Sequence, residues 1–186
     1  MSRCIMVLGE PAVGKSTIMS EILQGSVPVE FKVNGRVIKA RGVGKIIALG
    51  VYDGAVNDGT DRLAMNIQPF AIKLLNNLEK TPFKDYTVII EGDRLGNMKF
   101  IEALKERPAV VIIKASEKNK SQRHKDRKDS QGETFLKSRK TKYKNIEKAL
   151  YEKLIPFLVF NNDVPEDVRC IASQITEIAG GLNAVL

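Results

Sequence analysis

Gly9, Gly14, Lys15 and Ser16 occupy the fixed places of G-x-x-x-x-G-K-[ST] in the stretch GEPAVGKST, Gly9 to Thr17. The chemistry this spacing serves is the holding of phosphate. Phosphate oxygens must meet several backbone N–H groups at once. That calls for glycines where a Cβ would block the approach, and for a helix N-terminus whose partial positive charge faces the anion. Glu10, Pro11, Ala12 and Val13 complete the loop and Thr17 continues into the helix. Lys15 is expected to reach β- and γ-phosphates, and the Ser16 hydroxyl to ligate Mg²⁺.

A phosphate cradle alone serves a switch, a motor or a transferase, so other residues must choose. A guanine-reading N-K-x-D is missing: the fourth core segment runs into KASEKNK and the fifth into FNND, although DRLG at Asp93 to Gly96 mimics a GTPase half-motif. Motor ATPases generally need more chain. Phosphoryl transfer needs an acid for Mg²⁺, a base near the acceptor hydroxyl, cations over the moving group, and exclusion of water. Glu91 in VIIEGDR is expected to hold the Mg²⁺ shell through water, with Asp93 and Arg94 just beyond, facing the acceptor. Asp53, at the end of IIALGVYD, is the expected general base. Asp58, Thr60, Asp61 and Arg62 follow in a loop that either contacts the acceptor or caps turns and the next helix. Arg123 and Arg127 stand four apart, which lets one guanidinium lie on adenine while the other reaches phosphate. His124 points elsewhere.

The elements that must position these residues alternate. Apolar runs suited to buried strands lie at Cys4 to Leu8, Lys45 to Val51, Tyr86 to Ile90, Ala109 to Lys114 and Pro156 to Phe160. Helical patterns cover Ser16 to Gln24, Leu63 to Leu78, Asn97 to Glu106 and Asp167 to Ala179. This predicts an α/β fold, a five-stranded parallel sheet with helices on both faces, in one domain over residues 1–186. Ligands of open α/β sheets meet the carboxyl ends of strands, where Asp53 and Asp93 fall beside the phosphate loop. An inserted hairpin, about 28–42, is expected around Asn34-Gly35, a pair suited to a two-residue type I′ turn. A second insertion, about 116–145, reads as two polar helices hinged near Gly132. The second regains an apolar face at Tyr143, Ile146, Leu150 and Leu154. Because Lys137 to Lys142 is polar all round, the pair is expected to form a solvated arm or a lid that closes on ligand.

Charge separates this arm from the body. Lys114 to Lys153 holds fourteen Lys/Arg against six Asp/Glu, an excess equal to the +8 of the whole 186-residue chain. A neutral body with one basic arm reads as an anion-binding surface. Cys4 and Cys170 fall in apolar-periodic segments and are expected to be buried free thiols of a reducing cytosol. No zinc ligand set, signal peptide or membrane span is expected, which suits a cytoplasmic protein.

Taken together, GEPAVGKST, YDGAVNDGTDRL, VIIEGDRL and the R-x-x-x-R lid resemble the nucleoside and nucleotide kinase group of P-loop phosphotransferases. Within it the chain is similar to the phage 5-hydroxymethyluracil DNA kinases. The resemblance implies strand order 2-3-1-4-5, ATP with Mg²⁺ as donor, and the hydroxymethyl group of 5-hydroxymethyluracil in DNA as acceptor, in host cytoplasm. DNA as partner agrees with the basic arm: Lys137, Arg139, Lys140 and Lys142 are expected to track a backbone, since each phosphate neutralised releases counterion. A recessed site further implies a flipped or single-stranded base. A small-molecule nucleoside or nucleotide kinase with a basic lid is the alternative; no obligate protein partner is evident.

Overall fold

Alternation along each central strand builds two cores at once. In the computed structural model, which describes residues 3–54, 58–126 and 131–184, strand β1 (Cys4–Leu8) is buried along its whole length. Its Cys4, Met6 and Leu8 enter one core and its Ile5 and Val7 the other. The two-residue period repeats this division in β4 (Ile46–Leu49), β5 (Thr87–Glu91) and β6 (Ala109–Lys114). Continuous apolar runs are what a sheet covered on both faces requires.

The sheet has seven strands, not five, and is mixed rather than all parallel. Its order is β2-β3-β4-β5-β1-β6-β7, where β2 is Val27–Val33, β3 Arg36–Val43 and β7 Phe157–Asn161. β2 and β3 pair antiparallel and β3 joins β4 antiparallel, while β4, β5, β1, β6 and β7 pair parallel. The hairpin is therefore an extension of the main sheet, not an appendage. Val33 faces Arg36 across Asn34 and Gly35, both with positive φ (48° and 76°), the geometry of a type I′ turn. Phe31, Val33, Ile38 and Ala40 bury one face of it in the first core, which is why it docks rather than projecting into solvent.

Helices α1 (Lys15–Ile22) and α6 (Pro165–Ala184) cover one face. The other is covered by α2 (Gln68–Leu75), α3 (Met98–Ala103) and the inner side of α5 (Glu133–Glu152). Of the helix expected over Leu63 to Leu78 only α2 is α-helical; a 3₁₀ turn at Thr60–Arg62 precedes it and another at Leu78–Lys80 follows. Pro69 in the first turn sets the start of α2. α3 starts on Asn97, whose side chain accepts from Phe100 N at 2.9 Å. It stops short of Glu106 because the Asn76 side chain takes over the end, donating to Ala103 O (3.0 Å) and accepting from Lys105 N (2.8 Å).

The strand expected to be buried over Pro156 to Phe160 is instead the edge strand β7, with Leu158 and Val159 exposed because no further described strand pairs beyond it. Two other expected core positions are also on the surface. Leu154 is 88% exposed at a positive φ of 53°, because α5 ends at Glu152 and the chain must reverse into β7. Cys170 is exposed and free, whereas Cys4 is buried and free, its thiol pushed up to about 12 by that burial. Among the described residues no helix is long and apolar enough to cross a membrane.

Candidate active site

The cradle forms where β1 ends and α1 begins. Gly14 precedes α1 at φ 93°, a conformation glycine adopts without strain, and a Cβ there would strike the Asn162 side chain. No side chain caps α1 and no acid occupies its first turn, so the positive end of its dipole faces the cleft without a compensating carboxylate. Lys15 Nζ donates to Gly9 O (2.8 Å) and Glu10 O (2.9 Å), which holds the ammonium against the loop. Gly9, Pro11, Ala12, Gly14, Lys15 and Ser16 line a cleft of about 580 Å³. Val13 instead packs into the second core, Thr17 is exposed on α1, and Glu10 turns outward to Lys120 (2.8 Å).

Opposite the cradle the cleft is walled by Asp58, Asp61, Met65, Glu91, Asp93 and Arg94. Glu91 is only 2% exposed at the end of β5, and Gly59 lies so close that a Cβ there would collide with its carboxylate. Thr60 is fully buried beside Gly92. Arg94 fixes the loop before α2: its backbone N donates to Asp61 Oδ1 (2.7 Å), and its guanidinium donates to Asp61 O (2.8 Å) and Leu63 O (2.5 Å). Asp58 accepts from Gly54 N (2.9 Å) and pairs with Arg62 (3.3 Å).

Asp53 departs from its expected place. Its side chain is 54% exposed and hydrogen-bonded to Arg62, and it does not line the cleft. The chain turns away after Val51, which bridges to Gly59, and this returns Asp58 and Asp61 to the cleft while leaving Asp53 on the rim.

The basic arm divides. Asp93 receives Lys142 Nζ on Oδ1 (2.7 Å), Tyr143 OH on Oδ1 (2.9 Å) and Arg139 on Oδ2 (2.7 Å). Burial raises the Asp93 carboxyl, but the hydrogen bonds and charges of Lys142, Tyr143 and Arg139 outweigh it and hold the group below the usual carboxylate range. Tyr143 is pushed far up, chiefly by burial and then by the Asp93 charge. Arg139 and Tyr143 line the cleft together with Phe135 and Gln131. Lys137 and Lys140 face outward, 75% and 59% exposed, against Glu133 (2.7 Å) and Glu117 (2.6 Å). Arg139 therefore belongs to the cleft wall, and Lys142, which does not line the cleft, is drawn onto Asp93 behind that wall, so the two differ from the outward Lys137 and Lys140.

Arg123, on α4 (Glu117–Asp126), braces the cradle from behind. It donates to Ala12 O (3.3 Å) and Asn162 O (2.8 Å), while Asn162, 1% exposed, donates to Val13 O (2.8 Å). Neither residue lines the cleft. Lys120, buried between Glu10 and Glu117, adds a second strut. Arg127 lies outside the described residues. The struts Lys120 and Asn162 and the inward turn of Arg139, Lys142 and Tyr143 are absent from the sequence reading. FNND marks only a missing guanine motif there, and the spacing of Tyr143, Ile146 and Leu150 marks only an apolar face.

A glycine-containing loop leading into a helix N-terminus, with Lys15 and Ser16, suits a phosphate chain, and Glu91 with Ser16 suits a hard cation that keeps most of its ligands from phosphate and water. Among the described residues no cluster of three or more His, Cys, Asp or Glu could hold a metal by itself. A second cavity, about 510 Å³, opens at the opposite end of the sheet between Arg3, Leu75, Leu78 and Leu104 and has no such cradle. No protein-family model matches the chain, and no curated protein does.

Proposed function

We propose that the chain is an ATP- and Mg²⁺-dependent kinase with a P-loop scaffold of the nucleoside and nucleotide kinase type. Its acceptor is the hydroxymethyl group of 5-hydroxymethyluracil in DNA, met in the cytoplasm of the phage host. The observation that carries the transferase reading is the meeting of Lys15 and Ser16 with Asp61, Glu91 and Asp93 in one cleft. A nucleotide switch needs one acid for its Mg²⁺ shell, whereas Asp61 and Asp93 add carboxylates beyond Glu91, which suits a base for an acceptor hydroxyl.

Each residue then has a task. The α1 amides and Lys15 bind the transferring phosphates and offset the charge that shifts between them. Ser16 and Glu91 would hold Mg²⁺, which would supply further neutralisation. The acceptor proton goes to Asp61. Glu91 is the most deeply buried of the cleft acids, Asp93 is engaged by three donors, and Asp58 is fixed by Gly54 and Arg62, whereas Asp61 is oriented through one oxygen by Arg94 N. α5 closes the cleft against water.

Exposed lysines at 118, 125, 137, 140, 144 and 148 support DNA as partner. The inward turn of Arg139 and Lys142 favours the second reading, a small-molecule nucleoside or nucleotide kinase, because it removes two cations from any outer surface. Transfer of label from γ-labelled ATP to DNA with and without 5-hydroxymethyluracil, and to the free nucleoside, separates the two. Labelling of modified DNA alone supports the first, labelling of nucleoside alone the second, and labelling of none overturns both.

A further inference from the structure

We infer that Phe135, with Met65 on the same cleft, is the platform on which the base bearing the acceptor hydroxyl stacks, so that the substrate enters as an unstacked, planar nucleobase; this rests on the phosphotransfer reading above. Phe135 is 38% exposed and Met65 85%, and both line the cleft. The other large exposed apolar residues described, such as Val27, Tyr151 and Leu158, lie outside it. Exposed apolar surface in a cleft that also carries Lys15, Arg94, Arg139 and four carboxylates is surface waiting to be covered.

Position assigns the platform to the acceptor and not to the donor nucleoside. In the sheet order, β4 and β5 lie to one side of β1 and β6 and β7 to the other. Met65 follows the loop after β4. Phe135 is tied to the same side through Arg139, whose guanidinium stands 4.7 Å from the Phe135 ring and 2.7 Å from Asp93, just after β5. The other side holds Arg123 and Asn162, braced on the cradle. An aromatic face and a polarizable thioether suit the π-face of a base. A sugar hydroxyl or a phosphate would call for polar partners instead.

The test compares KM for an oligonucleotide carrying 5-hydroxymethyluracil with KM for ATP. Phe135→Ala should raise the acceptor KM roughly 5- to 150-fold, the effect of one lost base–aromatic stack, and leave that for ATP within twofold. Phe135→Trp should restore the acceptor KM. Met65→Ala, at a side chain too exposed to support the fold, should move the acceptor KM in the same direction as Phe135→Ala. An unchanged acceptor KM in Phe135→Ala, or a rise in the ATP KM instead, overturns the assignment. Wild-type protein that labels neither DNA nor nucleoside overturns the phosphotransfer reading and this inference with it, so the wild-type measurement tells the two failures apart.

Discussion

Lys142 Nζ lies 2.7 Å from Asp93 Oδ1 and 2.9 Å from the Asp93 backbone oxygen, tying the middle of α5 to the turn after β5. With Arg139 and Tyr143 on the same carboxylate, this contact decides whether the arm is part of the cleft or separate from it. Asp93→Asn removes the charge that two cations share, and should cost about 1–3 kcal/mol, as expected for charge-assisted hydrogen bonds that are partly buried. Its sign with pH is fixed. A carboxyl held below its ordinary value stabilises the fold above its unfolded pKa, about 3.9, and loses that contribution as pH falls through the folded value. Denaturation of wild type and Asp93→Asn should therefore differ at pH 7, by an amount that begins to shrink as pH falls to about 4 and vanishes once pH is below the folded value. A constant gap across that range would show that the charge is not what holds α5.

Lys15→Met tests the cradle. The ammonium donates to two carbonyls of its own loop, so the fold should survive while transfer falls by about 10³-fold or more, because a cation aimed at developing charge acts mainly in the transition state. Thermal unfolding and turnover measured on the same preparation check both halves. A variant within tenfold of wild-type turnover would remove Lys15 from the chemistry.

Asp61→Asn and Asp53→Asn separate two candidate bases. In Asp61→Asn the side-chain amide oxygen can still accept from Arg94 N, so the loop should hold while turnover drops about 10²–10⁴-fold, the worth of a positioned base. Asp53→Asn, on the rim beside Arg62, should change turnover less than tenfold. The reverse ranking would return the role to Asp53.

Pairs within the basic arm should behave differently. Lys137→Ala with Lys140→Ala, both outward, should lower the log–log salt slope of DNA binding by up to about 1.8 at about 0.9 per lost phosphate contact, with ATP KM unchanged. Arg139→Ala with Lys142→Ala should instead lower kcat, because Arg139 lines the cleft and both side chains hold Asp93, which lines it too. Equal effects of the two pairs on the salt slope would mean that α5 leaves its docked position on DNA.

The sequence alone determined the elements whose signal is local. Five strands are legible as apolar runs, but only β1, β4, β5 and β6 are buried along most of their length; β7, at the sheet edge, leaves Leu158 and Val159 exposed, which its sequence does not show. The Asn34-Gly35 turn is legible because few pairs tolerate two successive positive φ values. The glycine-containing turn from β1 into α1 is legible because its glycines answer to backbone geometry within nine residues. Tertiary structure decided everything that depends on which side of a loop or helix meets a distant partner. Asp53 and Asp61 are alike in sequence, yet the Val51–Gly59 bridge turns one outward and the other toward the cleft. Lys140 and Lys142 stand two apart in an all-polar run, and a helix rotates such neighbours by about 200°, so one meets Glu117 and the other Asp93. Burial of Tyr143, Ile146 and Leu150 fixes that rotation, and it requires the whole first core to be in place.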